Sequence, residues 1–300
     1  MDFFGLTIPS YSWQTVLGSA ISGVFLGAMY ALVALGLTLI YGVLHIINFA
    51  HGAMLMLAMY GVYFLWSGLG IDPYLGLPII VPAAFVLAYA LQRCVIGPVS
   101  HGRDEITLLV TLGIAIIIEN GALFAFSATE RQVMVPYDLD GFDLGVVYVV
   151  WPQIAALAGA FFVTLALWLF MTRTDLGRAI QAVAKERRGA QLVGINVAHV
   201  YAVTFGIGAA CVAVAASLLA PTYSVSPQFG YLFILIAFTV VVLGGMGSFA
   251  GALVGGFVIG ITEQLGRLYL GESLGLITIS ATFILILLLR PTGLFGARPQ

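Results

Sequence analysis

The residues best suited to chemistry in this sequence are a few polar side chains set within long apolar runs. Asn48 and His51 lie in residues 41–52, the most polar part of the first seventy residues. A break in a membrane-embedded helix here would free backbone groups that such side chains can satisfy, and broken helices are where transport proteins tend to hold a substrate. The segment contains no Cys, Asp or Glu to complete a metal site. We interpret Asn48 and His51 as candidates for a polar path, with an interfacial turn as the alternative.

Two carboxylates occupy apolar segments, where an ionisable group is costly. Glu119, followed by Asn120, is well inside its segment, so this pair predicts either hydrogen bonding between helices or the lining of a path. Glu263 precedes Arg267 by four residues, in the favourable order for an ion pair along a helix. We predict a structural pair for Glu263 and Arg267, and we place Glu119 and Asn120 among the candidates for the path.

The sequence excludes several kinds of chemistry. Lys185 is the only lysine, and it does not follow the glycine-rich turn that a phosphate-binding loop requires. Paired-aspartate, HExxH and GxSxG motifs are also absent from the sequence. Cys94 and Cys211 lie in apolar stretches and are expected to be small buried side chains. We therefore predict no catalytic residue, no metal ligand and no cofactor-binding residue in this chain, and we expect it not to be an enzyme.

The elements that must position these side chains follow from the composition. Hydrophobic residues make up 61% of the 300 residues and charged residues 8%, with a mean hydropathy of +1.10, whereas about a quarter of the residues in a soluble domain are charged. Because about 20 helical residues cross the ~30 Å hydrocarbon core, the sequence predicts an all-α polytopic membrane protein of about eight to ten transmembrane helices in one domain, residues 1–300. The predicted spans are residues 13–44, 46–66, 75–96, 106–126, 148–171, 199–219, 231–246, 249–266 and 274–290.

Basic residues indicate the orientation, since cytoplasmic loops carry an excess of Lys and Arg. If the loop at 173–198 is cytoplasmic, nine of the eleven basic residues lie on its side and only Arg131 and Arg267 lie outside. The nine are Arg93, Arg103, Arg173, Arg178, Lys185, Arg187, Arg188, Arg290 and Arg298. This arrangement predicts an external N terminus and a cytoplasmic C terminus. The external loop at 127–147 contains turn residues and is expected to hold a short strand or hairpin.

The loop at 173–198 predicts one short amphipathic helix. Thr174 and Asp175 can cap a helix whose apolar residues recur at helical spacing, and Gly189 and Gly194 interrupt or end it. A helix of about ten residues is marginal by itself, so it needs the membrane surface or a protein groove. The two interpretations are a basic interfacial helix and a docking helix for a cytoplasmic partner.

Thirty-six glycines in such a chain predict close helix packing, because helices in lipid associate through backbone approach. Gly23 and Gly27 are four residues apart in the first span. Gly247, Gly251 and Gly255 have the same spacing near the C-terminal end. We predict that both sets lie at helix contacts.

Four separated motifs, in the same order as in a known family, cover most of the chain. They are LTLIYGVLHIINFAHGAMLMLAMYG (37–61), RAIQAVAKERRGAQLVGINV (178–197), VLGGMGSFAGALVGG (242–256) and LLRPTGLFG (288–296). With them the sequence resembles the permease subunits of branched-chain amino acid ABC importers, in particular the H-type (LivH-like) permease. The family includes a urea-importer branch and is more distantly related to simple-sugar permeases.

The resemblance implies a multi-pass subunit of a heteromeric importer in the bacterial inner membrane. Its expected partners are a second related permease, two cytoplasmic ATPase subunits and an external solute-binding protein, so that ATP and Mg²⁺ belong to the partner chains. The loop at 173–198 would contain the coupling helix that sits in a groove of an ATPase subunit. Its expected contact residues, small ones for close approach and polar ones for hydrogen bonds, are Ala184, Gly189, Gly194, Arg178 and Glu186.

Two alternatives to a branched-chain amino acid importer remain open from the sequence. An ion-coupled secondary transporter also uses broken helices and buried carboxylates, although it gives the loop at 173–198 no specific role. An ABC permease for urea or short amides is the other, because selectivity in such systems is largely imposed by the external binding protein.

Overall fold

The computed structural model describes residues 11–100 and 104–296, together with the strands Asp2–Phe3 (β1) and Leu6–Thr7 (β2). Over these residues the chain is almost entirely helical. Its α-helices are α1 (Trp13–Leu44), α2 (Ala50–Leu69), α3 (Leu77–Leu91), α4 (Gly97–Ser100), α5 (Asp104–Phe126), α6 (Trp151–Arg173), α7 (Asp175–Lys185), α8 (Arg187–Leu192), α9 (Val197–Leu219), α10 (Phe229–Gly244), α11 (Phe249–Leu270) and α12 (Gly275–Leu289). A π-helical turn, Gln92–Ile96, joins α3 to α4, and a 3₁₀ turn, Glu272–Leu274, precedes α12.

The all-helical membrane architecture predicted from composition is confirmed. Eight helical segments of the described chain are long and apolar enough to cross a membrane, and α10 adds a shorter apolar helix of 16 residues. The loop between α5 and α6 contains the expected hairpin, in which Gly141–Asp143 (β3) pairs antiparallel with Tyr148–Val150 (β4). The N-terminal strands β1 and β2 also pair antiparallel.

Helices α1 and α9 form the centre of the bundle. In each, 83% of the most apolar stretch is buried, against 11% in α5 and in the segment containing α12. The two central helices pack on each other and are surrounded by α2, α3, α6, α10 and α11. A helix that is apolar on every side fits this central position, so the charge-free sequence of α1 is explained by its location.

Helix α1 has 32 residues and continues unbroken to Leu44, a length of about 48 Å at 1.5 Å per residue. It ends where His45 adopts the left-handed conformation (φ 57°) and its N–H bonds to the Tyr41 carbonyl. The helix break predicted at this point is therefore present. Residues 45–49 form a turn, after which α2 begins inside the polar segment.

Glycines mediate the contact between α1 and α11. A Cβ on Gly27 would lie 2.6 Å from the carbonyl oxygen of Gly256, and a Cβ on Gly23 would lie 2.6 Å from the Cα of Ile261. These distances are far below ordinary van der Waals separation. The backbones therefore approach as closely as two helices can, and no larger side chain fits at these positions.

The second predicted glycine set is divided between a turn and a helix. Gly251 and Gly255 lie in α11 and face the backbone of α10. Gly247 precedes α11 and has φ +88°, in a turn opposite Gly42. The expectation of one helical row for all three is wrong at Gly247, because the left-handed backbone there reverses the chain between α10 and α11.

The order of the helices divides the connections between two ends of the bundle. We call the coupling end the one that contains the α1–α2 turn, the α3–α5 connection and the chain from α7 to α8. The segment after α12 returns to this end, where the N–H groups of Leu294 and Phe295 bond to carbonyls of Leu243 and Gly244. The basic residues predicted on one side lie on these connections, except that Arg103 and Arg298 are outside the described residues.

Candidate functional site

Asn48 and His51 lie together at the start of α2, and both are completely buried. The Asn48 Oδ1 accepts a hydrogen bond at 3.1 Å from the N–H of Ala50, the first residue of α2. Within the described part of the chain the Asn48 amide nitrogen has no partner. A buried amide donor left unpaired is costly, so this side chain holds unused hydrogen-bonding capacity inside the bundle.

His51 joins α2 to the central helix. Its Nε2 lies 2.9 Å from the Val33 carbonyl and donates to it, since a carbonyl only accepts. The space around the ring is closed by α1 and α9, because a Cβ on Gly36 would lie 2.9 Å from the His51 Cε1. Among described residues Nδ1 has no partner. The imidazole therefore pins two helices and presents one free acceptor nitrogen.

Thr111 joins α5 to this turn, a contact that no sequence motif indicated. Its buried hydroxyl accepts a hydrogen bond from the Phe49 N–H at 3.3 Å and donates to the Leu108 carbonyl at 3.0 Å. The polar cluster at this point consists of Asn48, His51 and Thr111.

Glu119 and Asn120 do not belong to that cluster. Glu119 is eight residues beyond Thr111, or about 12 Å along the helix, and it is partly exposed on the outer side of the bundle. Its carboxylate has no hydrogen bond or ion pair within the described residues. The exposed Asn120 amide bonds only to the Ile116 carbonyl of its own helix, at 2.8 Å. The polar atoms of Glu119 and Asn120 therefore require hydrogen bonds from water or from another chain.

The predicted pair of Glu263 and Arg267 is confirmed. The Arg267 guanidinium donates to Glu263, whose carboxylate is 1% exposed. The hydroxyl of Tyr30 donates to the other carboxylate oxygen at 2.6 Å. Tyr30 lies on the central helix, so this network links α1 to α11 near the end opposite the coupling end. Tyr30 could not be predicted from the sequence, because its partner is 233 positions away.

Outside the spans, the long loop at 127–147 is fastened to the α2–α3 connection. The Tyr137 hydroxyl donates to the Asp72 carboxylate at 2.5 Å. Burial and this neighbouring carboxylate raise the pKa of Tyr137, and burial beside Asp72 raises the pKa of Tyr74 to about 12. Both phenols are thus neutral donors or packing groups at ordinary pH.

Helix α7 is held on the bundle by its inner face. Ile180 and Val183 are buried there, and Thr174 caps the helix by accepting from the Gly177 N–H at 3.0 Å. Gln181 donates to the Met171 carbonyl at 2.6 Å. Gly177 lies directly against the last turn of α6, where a Cβ would come within 2.6 Å of the Met171 Cα. Helix α7 and the end of α6 therefore have little freedom to move separately.

The loop after α6 contains two helices, which corrects the expectation of one. Helix α7 ends at Lys185, and Glu186, in extended conformation, caps α8 by accepting from the Arg188 N–H. The chain breaks at Glu186 because its carboxylate offers the next helix an N-cap. Gly189 lies inside α8, and Gly194 follows α8 with φ +86°.

The remaining predicted contact residues lie on the open side of this pair of helices. Arg178 forms an ion pair with Asp175 at 2.6 Å in which both side chains are mostly exposed, so the pair adds little stability. Ala184 lines a cavity of about 180 Å³ between α7 and the end of α1, together with Gln181 and Lys185. The outer face of α7 and α8 is thus mainly polar, with Leu192 exposed at the end of α8, and it is available to a partner.

The described residues contain no group of three or more His, Cys, Asp or Glu arranged to hold a metal ion. A sequence model of the family described as branched-chain amino acid transport system, permease component, matches residues 19–289. The chain belongs to this family. The match runs from within α1 to the end of α12, so the fold and the family description refer to the same part of the protein.

Individual relatives agree with the family match. The high-affinity branched-chain amino acid transport system permease protein BraD of Pseudomonas aeruginosa is 35% identical over 298 residues, which cover 93% of this chain and 95% of the relative. The corresponding LivH protein of Escherichia coli K12 is 35% identical over 300 residues, covering 93% and 94%. The ribose import permease protein RbsC of the same strain is 26% identical over 69% of this chain and 64% of its own length. No solved structure matches the chain.

These comparisons identify the chain as an ABC-importer permease component and a multi-pass membrane protein. Transport permeases are not enzymes in their own right, which fits the residues described above. Family membership also implies association with other transporter subunits.

Proposed function

We propose that this chain is the permease subunit that carries branched-chain or related hydrophobic amino acids into the cell, driven by ATP hydrolysis on separate subunits. The relatives BraD and LivH bear that substrate class in their names. The structural observation that supports the proposal best is α7. An amphipathic helix clamped to α6 on one side and polar on the other transmits force from a partner, and the chain has no phosphate-binding loop of its own.

The proposed assembly contains this permease, a second related permease, two ATPase subunits that carry ATP and Mg²⁺, and an external solute-binding protein. The coupling end would face the cytoplasm of a bacterial inner membrane, because most basic residues lie there. The C terminus would then be cytoplasmic. Arg178, Ala184, Glu186, Gly189 and Gly194 would contact the ATPase.

The proposed transport step follows from the cost of desolvation. A zwitterionic amino acid cannot cross hydrocarbon without losing hydration of both charges, so the protein must expose a polar path to one side at a time. The buried cluster at the start of α2 has an unpaired amide nitrogen and an unpaired imidazole nitrogen, which the substrate or water would satisfy when the turn at 45–49 opens. Glu119 and Asn120 would line the path where α5 meets another subunit.

Force on α7 would reach this cluster through the bundle. Helix α7 packs on α6, α9 and α1, and α1 ends at the turn that carries Asn48. ATP-driven approach of the ATPases would shift α7, and the difference in stability between two helix arrangements would set the direction of transport.

Substrate competition tests the proposed specificity. In vesicles containing the complete importer and its binding protein, excess unlabelled leucine, isoleucine or valine should abolish uptake of labelled leucine. Urea, acetamide and ribose at the same concentration should leave it unchanged. Uptake of urea or acetamide in place of leucine would contradict the amino-acid assignment.

A further inference from the structure

Two cavities flank the π-helical turn and are not used by the proposed transport function. The first is an apolar groove of about 660 Å³ between α2, α3 and α5. It exists because α5 packs on α2, and on the π-helical turn and α4 near its own N-terminus, which leaves an opening beside α3. Its walls include Ile80, Ala83 and Leu91 from α3 and Ile114 and Ile118 from α5. The groove is lined almost entirely by hydrocarbon.

The second is a polar cavity of about 850 Å³ at the coupling end of the bundle. Arg93 and Arg187 line it, together with Gln191 and Asn196, and no acidic side chain is among its described lining residues. Neither arginine has an ion pair within the described residues; Arg187 lies 5.6 Å above the Tyr201 ring. Two arginine forks without a carboxylate form a site for an anion with several oxygens.

The π-helical turn contributes residues to both cavities. Leu91 and Val95 line the groove, whereas Gln92 and Arg93 line the polar cavity. Gln92 is 5% exposed, and the oxygen of its side-chain amide, Oε1, has no hydrogen-bond partner among the described residues. A single molecule that is apolar along one part and anionic and hydrogen-bonding at its end would contact both cavities. Insertions of this kind in helices are frequent at functional sites.

We propose that this composite site binds one anionic phospholipid, with an acyl chain in the groove and its phosphate between Arg93 and Arg187. Free phosphate satisfies only the polar cavity and leaves the groove empty, whereas a lipid of this charge fills both. Basic cavities between helices on the cytoplasmic side are suited to anionic head groups. The proposal goes beyond amino-acid transport and does not depend on the substrate.

The site also includes part of the chain that precedes α9. Arg187 and Gln191 belong to α8, and Asn196 caps α9. The head group would therefore bridge the π-helical turn and α8. Without the lipid, α8 would lose this connection to the bundle, so we expect ATP-driven uptake to require anionic lipid.

Lipid retention tests the proposal. The full-length protein is kept in the assembly in which it is extracted and is washed with detergent. It is then incubated with equal amounts of phosphatidylglycerol and phosphatidylethanolamine, and native mass spectrometry measures which lipid stays bound. We expect one phosphatidylglycerol retained in preference to phosphatidylethanolamine. Combining R93Q with R187Q should weaken this retention by about tenfold or more, since charge-assisted hydrogen bonds are lost. The control R173Q removes an exposed arginine outside the site and should retain the lipid.

The groove is tested with a matched pair of substitutions on α3. Ala83→Trp places an indole in the groove from an exposed position, and Val86→Trp adds the same bulk on a lipid-facing position outside it. Only Ala83→Trp should reduce retention. Millimolar inorganic phosphate should not displace the lipid.

Several results would overturn the proposal. In the unaltered protein, these results are equal retention of the two lipids, no retained lipid, or displacement of the lipid by phosphate alone. In the variants, they are unchanged retention in the double variant or in Ala83→Trp, or a loss in R173Q equal to that in the double variant. If the double variant is not monodisperse, R93K combined with R187K replaces it in the experiment. This variant keeps both positive charges but lacks the planar guanidinium groups, so it should also retain the lipid more weakly than the unaltered protein.

Discussion

At the scale of single residues, the polar side chains inside the bundle divide into two kinds. Asn48, His51 and Thr111 are buried close to the start of α2, and Asn48 and His51 each have one nitrogen without a partner among the described residues. Glu119 is partly exposed and unpaired among described residues, on a helix with few neighbours. We therefore expect substitutions of the first kind to affect stability as well as transport, and those of the second to affect transport alone.

His51→Ala should destabilise the protein. The change empties a closed space between α1, α2 and α9 and removes the second hydrogen bond to the Val33 carbonyl, for a cost of about 2–4 kcal/mol. Thermal unfolding in detergent should show a melting temperature lower by several degrees. The control His45→Asn changes the exposed histidine of the same turn to a residue that tolerates its left-handed backbone and should melt like the unaltered protein. Equal melting of all three proteins would contradict the pinning role.

Glu119→Gln should reduce uptake strongly without changing the melting temperature, because the carboxylate has no partner to lose within the described chain. Uptake at matched expression and thermal unfolding are the two measurements. Glu105→Gln, at the exposed start of the same helix, is the control and should transport normally. A melting shift without a transport defect would give Glu119 a structural role instead.

At the scale of elements, close backbone contacts fix which helices pack together. Helix α1 meets α11 through Gly23 and Gly27, and α6 meets α7 through Gly177. Each of these contacts has no room for a side chain larger than that of glycine. Replacing one of these glycines therefore tests a single helix interface.

Gly27→Val should disrupt the contact of α1 with α11, since its Cβ would already strike the Gly256 carbonyl. We expect loss of folded protein or a melting temperature lower by ten degrees or so, as for overpacking at a rigid backbone contact. Gly113→Val adds the same atoms where a Cβ meets open space and should have a much smaller effect. Similar yields and melting temperatures for the two would contradict this packing.

Gly177→Val should uncouple ATP hydrolysis from uptake by moving α7 away from α6. The bundle should remain folded, because α7 lies outside the spans, so ATPase activity of the assembly should persist while uptake per ATP falls several-fold, in line with an energetic coupling of the usual size. Arg173→Gln, near the same junction but exposed, is the control. Uptake per ATP that matches the unaltered protein would remove α7 from the coupling route.

The helices were predictable because apolar length and charge-free runs are local properties of sequence. The break at His45 was predictable from clustered polar residues. The clamp of Gln181 on Met171 and the bond from Tyr30 to Glu263 were not, since they join residues whose proximity exists only after packing. The sequence also grouped Asn48 with Glu119 by depth and polarity, whereas the bundle buries Asn48 completely and leaves Glu119 partly exposed.

At the scale of the whole molecule, the chain is one part of a larger assembly. The family model matches residues 19–289. The central helices α1 and α9 are buried, whereas α5 and α12 are mostly exposed on the outside of the bundle. The exposed face of α7 and α8 carries Arg178, Lys185, Arg188 and the apolar side chain of Leu192. On the proposed function, a partner subunit with the ATP site delivers the energy for transport through this face.

The most direct test of this account is uptake by reconstituted vesicles. The tagged chain, extracted in mild detergent, should bring down a second permease and two ATPase subunits. After reconstitution with the binding protein, vesicles should take up leucine with ATP and Mg²⁺ and without an ion gradient. A single-chain particle that takes up leucine with a proton or sodium gradient and no ATP would contradict the account.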